Sequence, residues 1–216
     1  MLSVLGWVSP PEREKTCRMA ELSAHVAQHL SLASTALALA LLAGLPLGVL
    51  AAESSGLRGG VLALAGVGRT LPSLAVLTLL LPWLGVGAAP AIVALALLAI
   101  PPIVISVDLG IRGVPVAALD AATGMGMTSL QRFARVVVPL ALPVSFSGLR
   151  TAATETIASA TLATFIGAGG LGDEIVRGLQ TDDGTLLFTA AAVVAALALG
   201  ADLALGAAAR LAAPRT

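Results

Sequence analysis

Long apolar blocks, rather than alternation, dominate the pattern of this chain. Leu30 to Ala52 runs for about 23 residues without a charge, enough for a helix to cross the ~30 Å hydrocarbon layer of a bilayer. Inside it, Gly44 and Gly48 stand four residues apart, a spacing that lets a neighbouring helix come close. Glu53 to Gly60 reads as a turn. Val61 to Leu84 is apolar again, interrupted by Arg69-Thr70 and Pro72. Val61 to Gly68 is therefore readable as a separate half-helix, with the span proper starting near Leu71. Gly85 to Ala89 is another turn, and Pro90 to Val107 a third span kinked at Pro101-Pro102. Asp108 to Arg135 leaves the membrane, and Val136 to about Ala160 re-enters it. Thr161 to Gly184 is polar and glycine-rich, and Leu186 to Ala209 forms a last span. The pattern predicts an all-α integral membrane protein of about five transmembrane helices.

Ahead of the first block, Ser9-Pro10-Pro11-Glu12 has the marks of a helix start: a capping serine, prolines suited to the first turn, then Glu12 and Glu14 near the positive helix end. The mixed stretch to Gln28 reads as a surface helix leading into the membrane. Met1 to Pro11 carries no basic region ahead of its short apolar run and does not read as a cleaved signal peptide. The expected organisation is an extracytoplasmic, interfacial segment over residues 1–28, a transmembrane domain over 29–210 with a cytoplasmic loop at 112–135, and a cytoplasmic tail at 211–216.

Composition sharpens this picture. Hydrophobic residues make up 57% of the chain and charged ones 11%, with a mean hydropathy of +0.99, more apolar surface than a soluble domain can cover. Aromatics are only 3%, so the apolar mass is mostly aliphatic and small, suited to helices packed in lipid. Net charge is zero, which with the lack of any nucleic-acid motif argues against nucleic acid as a partner. Cys17 is the single cysteine, so an internal disulfide is excluded. His25 and His29 have the i, i+4 spacing of a metal pair but no third ligand nearby, and read as interfacial residues. Placing the 108–135 loop inside puts Arg58, Arg112, Arg132, Arg135, Arg210 and Arg215 on the cytoplasmic side, against Arg13, Lys15, Arg18 and Arg177 outside. This small excess favours an outside amino terminus and a cytoplasmic carboxyl terminus.

The 108–135 loop holds the most informative residues. Asp120-Ala121-Ala122 offers a small face that another surface can approach. Gly124 and Gly126 permit a sharp reversal, Met127 follows, and Thr128 can cap a second helix that carries Gln131 at its third position. This reads as a helix–turn–helix, either a docking knob or an ordinary connection. The stretch resembles the Glu-Ala-Ala motif of binding-protein-dependent ABC importer permeases. Asp120, Ala121, Ala122, Gly126, Val136, Val138 and Pro139 stand at its positions, with Asp in place of the usual Glu. The resemblance implies a MetI-like ABC importer permease fold and a cytoplasmic coupling loop, Asp120 to Met127 with Pro139 behind it, that seats in a cleft of an ATPase subunit. Arg69-Thr70-Leu71-Pro72-Ser73-Leu74-Ala75 is similar to a signature of osmoprotectant permeases, where Gln is usual at the Arg69 position. Gly148 to Ala152, Ala160 to Ala163, Ile166 to Gly172 and Arg177 to Thr181 also look like that subfamily, so the resemblance covers about His29 to Leu205. It implies transport of glycine betaine, carnitine or choline in a bacterial-type inner membrane. The implied partners are two copies of an ABC ATPase, a second permease copy or a related permease, and an extracytoplasmic substrate-binding protein.

Two other groups of residues attract functional readings. Arg69, Arg150 and Glu155 fall at membrane depth, where each needs a partner or water; they read as lining a translocation path or as a structural ion pair, Glu155 with Arg150 or Arg69. Gly167, Gly169 and Gly172 match the G-x-G-x-x-G pattern of dinucleotide folds, but no strand context precedes them and an uncharged apolar run follows, so the nucleotide reading is rejected. With Gly170 they read instead as a flexible outer gate or receptor-facing turn. No G-x-x-x-x-G-K-[ST] loop is present, so the chain is expected to bind no cofactor and to leave ATP hydrolysis to a partner subunit. Few aromatics are available for a cage around a quaternary amine, which places high affinity on a separate receptor. The rival readings are a permease for methionine or another small solute, an ion-gradient-driven secondary transporter, and a membrane scaffold.

Overall fold

A computed structural model describes the backbone of residues 12–212 and the side chains of residues 21–211. The expected helix start over residues 9–11 and the tail beyond residue 212 lie outside the described residues. Helix α1 (Glu12–Glu53) runs unbroken across Gln28. The polar stretch to Gln28 and the first span are therefore one helix, because nothing there breaks it: Pro46 is the single proline inside α1.

The second crossing is in pieces: α2 (Ser55–Thr70), a break at Leu71-Pro72, then α3 (Ser73–Leu79) and α4 (Leu81–Leu84). The two halves meet at 98°. Pro72 explains the place of the break, since it has no N–H to donate and forces Leu71 into an extended conformation, with ψ of 130°. Helix α5 (Ala88–Arg112) then returns across the bundle. The excursion read from Asp108 starts later than expected. Asp108 lies inside α5 and is fully buried, because Arg58 from α2 meets both its oxygens, at 3.0 and 2.9 Å. A buried charge with a bidentate partner does not end a helix.

Helix α6 (Val116–Gly124), a turn, and the single-turn α7 (Ser129–Arg132) form the expected helix–turn–helix. A π turn (Phe133–Val137) leads into α8 (Val138–Ser159). Pro139 cannot donate to a carbonyl one turn back, and the widened turn accommodates its ring. The polar, glycine-rich stretch from Thr161 is mostly helical: a 3-10 segment (Ala160–Ile166), a glycine turn, and α9 (Leu171–Gln180) precede α10 (Gly184–Ala212).

Small residues set the packing. Gly44 and Gly48 of α1 lie against Ile103 and Val107 of α5, the close contact their spacing predicts. Helices α1 and α5 are thus parallel. Gly110 backs onto Ala141, and Gly148 onto Ser106 and Pro102, so α5 and α8 are antiparallel and touch almost backbone to backbone; a Cβ at Gly148 would overlap Ser106 Oγ. The core is built largely from alanines, among them Ala36, Ala40, Ala91, Ala94, Ala99, Ala152 and Ala160. Helix α5 is central, with 56% of its most apolar stretch buried, whereas α10 has 11% and turns Leu199 and Leu203 outward. Such exposed leucines suit contact with lipid chains.

Candidate functional site

The residues singled out in the sequence lie at the two ends of the bundle and in a cleft between them. At one end stands the α6–α7 hairpin. Its turn is a Schellman closure: Met127 N–H donates to Ala122 O at 3.2 Å and Gly126 N–H to Thr123 O at 2.9 Å. That closure needs a left-handed residue, and Gly126 has φ of +76°. Thr128 and Gln131 form a reciprocal capping box: the Thr128 hydroxyl accepts from Gln131 N–H, and the Gln131 side chain accepts from Thr128 N–H. Arg132 Nη1 donates to Thr123 Oγ1 at 3.1 Å and ties the two helices together. Ala122 faces inward, while Asp120, Ala121, Gly124 and Gly126 are exposed and Met127 is half-buried. Val116, Met125 and Leu130 are each about 70% exposed or more. A rigid knob with apolar tips and an acidic side chain is suited to insertion into a partner's groove.

At the other end lies the glycine turn. Gly167, Gly169 and Gly170 have positive φ, while Gly172 belongs to the first turn of α9 and packs on Thr161. The turn is tethered rather than free. Gln28 from α1 donates to Ala168 O at 3.0 Å and accepts from Gly170 N–H at 3.1 Å. On the far side Gly87 N–H donates to Ile166 O at 2.8 Å. The segment before the turn is 3-10 helix, where a dinucleotide fold requires a strand.

Sequence reasoning passed over Gln28, because a polar residue beside an apolar block looks interfacial. The histidines beside it look interfacial for the same reason, but both contact other helices of the bundle. His29 is fully buried, with Nε2 2.9 Å from Ile157 O. The His25 ring lies 2.8 Å from Glu174 Oε1 of α9, within ion-pair range though not aligned as a hydrogen bond, and Arg177 Nη1 meets the same carboxylate at 3.2 Å.

Between the ends, Arg150 does not pair with Glu155. It meets Asp202 of α10 through two hydrogen bonds, Nε to Oδ1 at 2.8 Å and Nη2 to Oδ2 at 2.6 Å. Asp202 is the single charge between Leu186 and Ala209, and that isolation is the signal that could have found it. Arg69 and Glu155 share an open cleft of about 230 Å³ beside the α2–α3 break. Ser73 and Ser159 add hydroxyls and Leu98 an aliphatic wall, while the Thr156 hydroxyl donates within α8 to Ala152 O at 2.6 Å. Among the described residues, neither Arg69 nor Glu155 forms an ion pair.

A family model for the binding-protein-dependent transport system inner membrane component matches residues 44–216. The chain belongs to this family of transport permeases. Several relatives are identical to it at more than a third of the aligned positions. The permease is 40% identical to the carnitine transport permease protein OpuCB of Listeria monocytogenes over 83% of this chain and 82% of that one. It is 37% identical to the glycine betaine/carnitine/choline transport system permease protein OpuCB of Bacillus subtilis over 90% of both chains. It is 40% identical to the osmoprotectant import permease protein OsmY of Salmonella typhimurium over 81% of this chain and 75% of that one. Among solved structures, an inward-facing form of the MetNI methionine ABC transporter superposes with a TM-score of 0.81 at 23% identity, covering 96% of this chain and all of that one. This likeness establishes the fold, all-α and of the methionine-importer permease type; among the described residues four helices are long and apolar enough to cross a membrane, and one bent pair could make a fifth crossing.

Proposed function

We propose that this permease imports quaternary-amine osmoprotectants of the glycine betaine, carnitine and choline class, driven by ATP hydrolysis on a separate subunit. The observation that carries this is the 37–40% identity, across most of the chain, to permeases named for those solutes or for osmoprotectant import. The α6–α7 hairpin seats in a cleft of the ATPase, with Val116, Met125 and Leu130 as its apolar contacts and Asp120 as its charge. The hairpin end is cytoplasmic, in keeping with Arg58, Arg112, Arg132, Arg135 and Arg210 near that end, which puts the amino terminus outside and the carboxyl terminus inside. A second copy of the chain completes the path, two ATPases dock below, and a substrate-binding protein docks above near the glycine turn. The turn acts as an outer gate, with Gln28 as its anchor. ATP-driven closure of the ATPases pushes the two hairpins together, opens the cavity outward, and receives solute from the docked receptor. No step of catalysis is assigned to this chain.

The test is uptake into proteoliposomes that contain the permease and its ATPase, with loaded receptor outside and ATP inside. Glycine betaine, carnitine and choline should accumulate only when ATP and receptor are both present. Uptake of methionine in their place, or uptake driven by an ion gradient without ATP, overturns the reading.

A further inference from the structure

The cleft at the bend of the second crossing joins two charges without ion-pair partners among the described residues. The other charged pairs that link its long helices are matched within the chain, Arg58 with Asp108 and Arg150 with Asp202. Arg69, in the last turn of α2, and Glu155, on α8, face the same space, and neither is ion-paired among the described residues. Charges at this depth are stable only with a counter-charge or water. The backbone break at Leu71-Pro72 points the same way, because interrupted helix within the apolar layer is tolerated where it lines a watered cavity.

We propose that this cleft is a transit site for a small zwitterion, in which Arg69 takes the carboxylate and Glu155 takes the onium group. The inference rests on the import reading above and adds the chemical form of solute that the permease itself prefers. A guanidinium presents two parallel N–H donors that match a carboxylate, and no other cation lines the cleft. No aromatic side chain lines it either, so the carboxylate of Glu155 is the group left to balance a quaternary nitrogen. Ser73 and Ser159 supply hydroxyls for the solute's carboxylate or its waters, and Leu98 an aliphatic surface for methyl groups. The volume of about 230 Å³ lies below the ~300–1,000 Å³ of sites for drug-sized ligands and fits a small solute. A cation without a carboxylate leaves Arg69 unpaired in the cleft, which penalises it.

The experiment measures uptake of glycine betaine, a zwitterion, and choline, a cation without the carboxylate, by the reconstituted transporter. The receptor is the same in every arm, so its own preference cancels in the betaine-to-choline ratio between variants. Arg69→Gln should lower that ratio about tenfold or more, and Arg69→Lys should restore part of it. Glu155→Gln should depress both solutes, with partial recovery in Glu155→Asp. Each variant is first checked for co-purification with the ATPase. In a second measurement that leaves both charges in place, Cys17→Ser/Ser73→Cys is labelled with a maleimide, and glycine betaine should slow the labelling where sucrose at equal osmolarity does not. An unchanged ratio in Arg69→Gln overturns the proposal while the import reading stands, and so does the absence of protection at Ser73→Cys. Failure of the wild-type transporter to carry either solute overturns the import reading itself.

Discussion

Arg150 and Asp202 lie on neighbouring helices, on the order of 18 Å along α8 from Val138, well inside the apolar layer. Either charge alone would need water there, so each makes the other tolerable. Arg150→Gln and Asp202→Asn should each lower the melting temperature of the detergent-solubilised transporter. The double variant should be less destabilised than the two losses added together, because the second change removes a charge already stranded. Additive losses in that cycle would show two independently solvated groups. Glu155→Gln, by contrast, should leave the melting temperature nearly unchanged, since Glu155 holds no partner among the described residues. The same residue-scale logic explains Asp108. The expectation of a loop at that position treated a charge as an end of helix, whereas its bidentate contact with Arg58 lets α5 continue to Arg112.

The α6–α7 hairpin acts as one element, and its shape comes from local chemistry. Gly126 closes the Schellman turn at φ of +76°, and a Cβ there meets nothing within 4 Å, so the obstacle to substitution is backbone strain rather than crowding. Gly126→Leu should cost about 1–3 kcal/mol within the hairpin. Thr128→Ala removes the cap of α7 and should cost about 0.5–2 kcal/mol. Neither change touches a long apolar helix, so membrane insertion should survive. Receptor-stimulated ATP hydrolysis should fall in both, and fall further in Asp120→Lys, which reverses the charge offered to the ATPase. Hydrolysis assays with and without loaded receptor check this. Full stimulation in Gly126→Leu and Asp120→Lys would make the hairpin a plain connection.

Across the whole molecule, the antiparallel pairing of α8 with α5 puts the hairpin and the glycine turn at opposite ends of the bundle. The second crossing links them, from the Arg58–Asp108 pair at one end to Gly87 on Ile166 at the other. Single cysteines in a Cys17→Ser background report which end faces which compartment. A membrane-impermeant maleimide added to intact cells should label Val86→Cys, which is 77% exposed beside the glycine turn. Leu130→Cys, equally exposed on the hairpin, should react only after the membrane is opened. The reverse pattern would invert the proposed orientation and remove the hairpin from the ATPase.

The sequence by itself determined the elements whose causes are local. Apolar runs of span length fixed the long helices, Gly44 and Gly48 marked a close helix contact, Pro72 marked the break, and Thr128, Gln131 and Gly126 specified the hairpin turn. Each of these follows from residues a few positions apart. The tertiary structure alone decided what depended on separated segments meeting. It gave Arg150 to Asp202 rather than to Glu155, buried Asp108 on Arg58, and used Gln28, 142 residues away from Gly170, to pin the glycine turn. The physical reason is the same in each case. A charge or amide at membrane depth must find a partner, and the sequence states that need, but the partner is fixed only when helices far apart in the chain pack face to face.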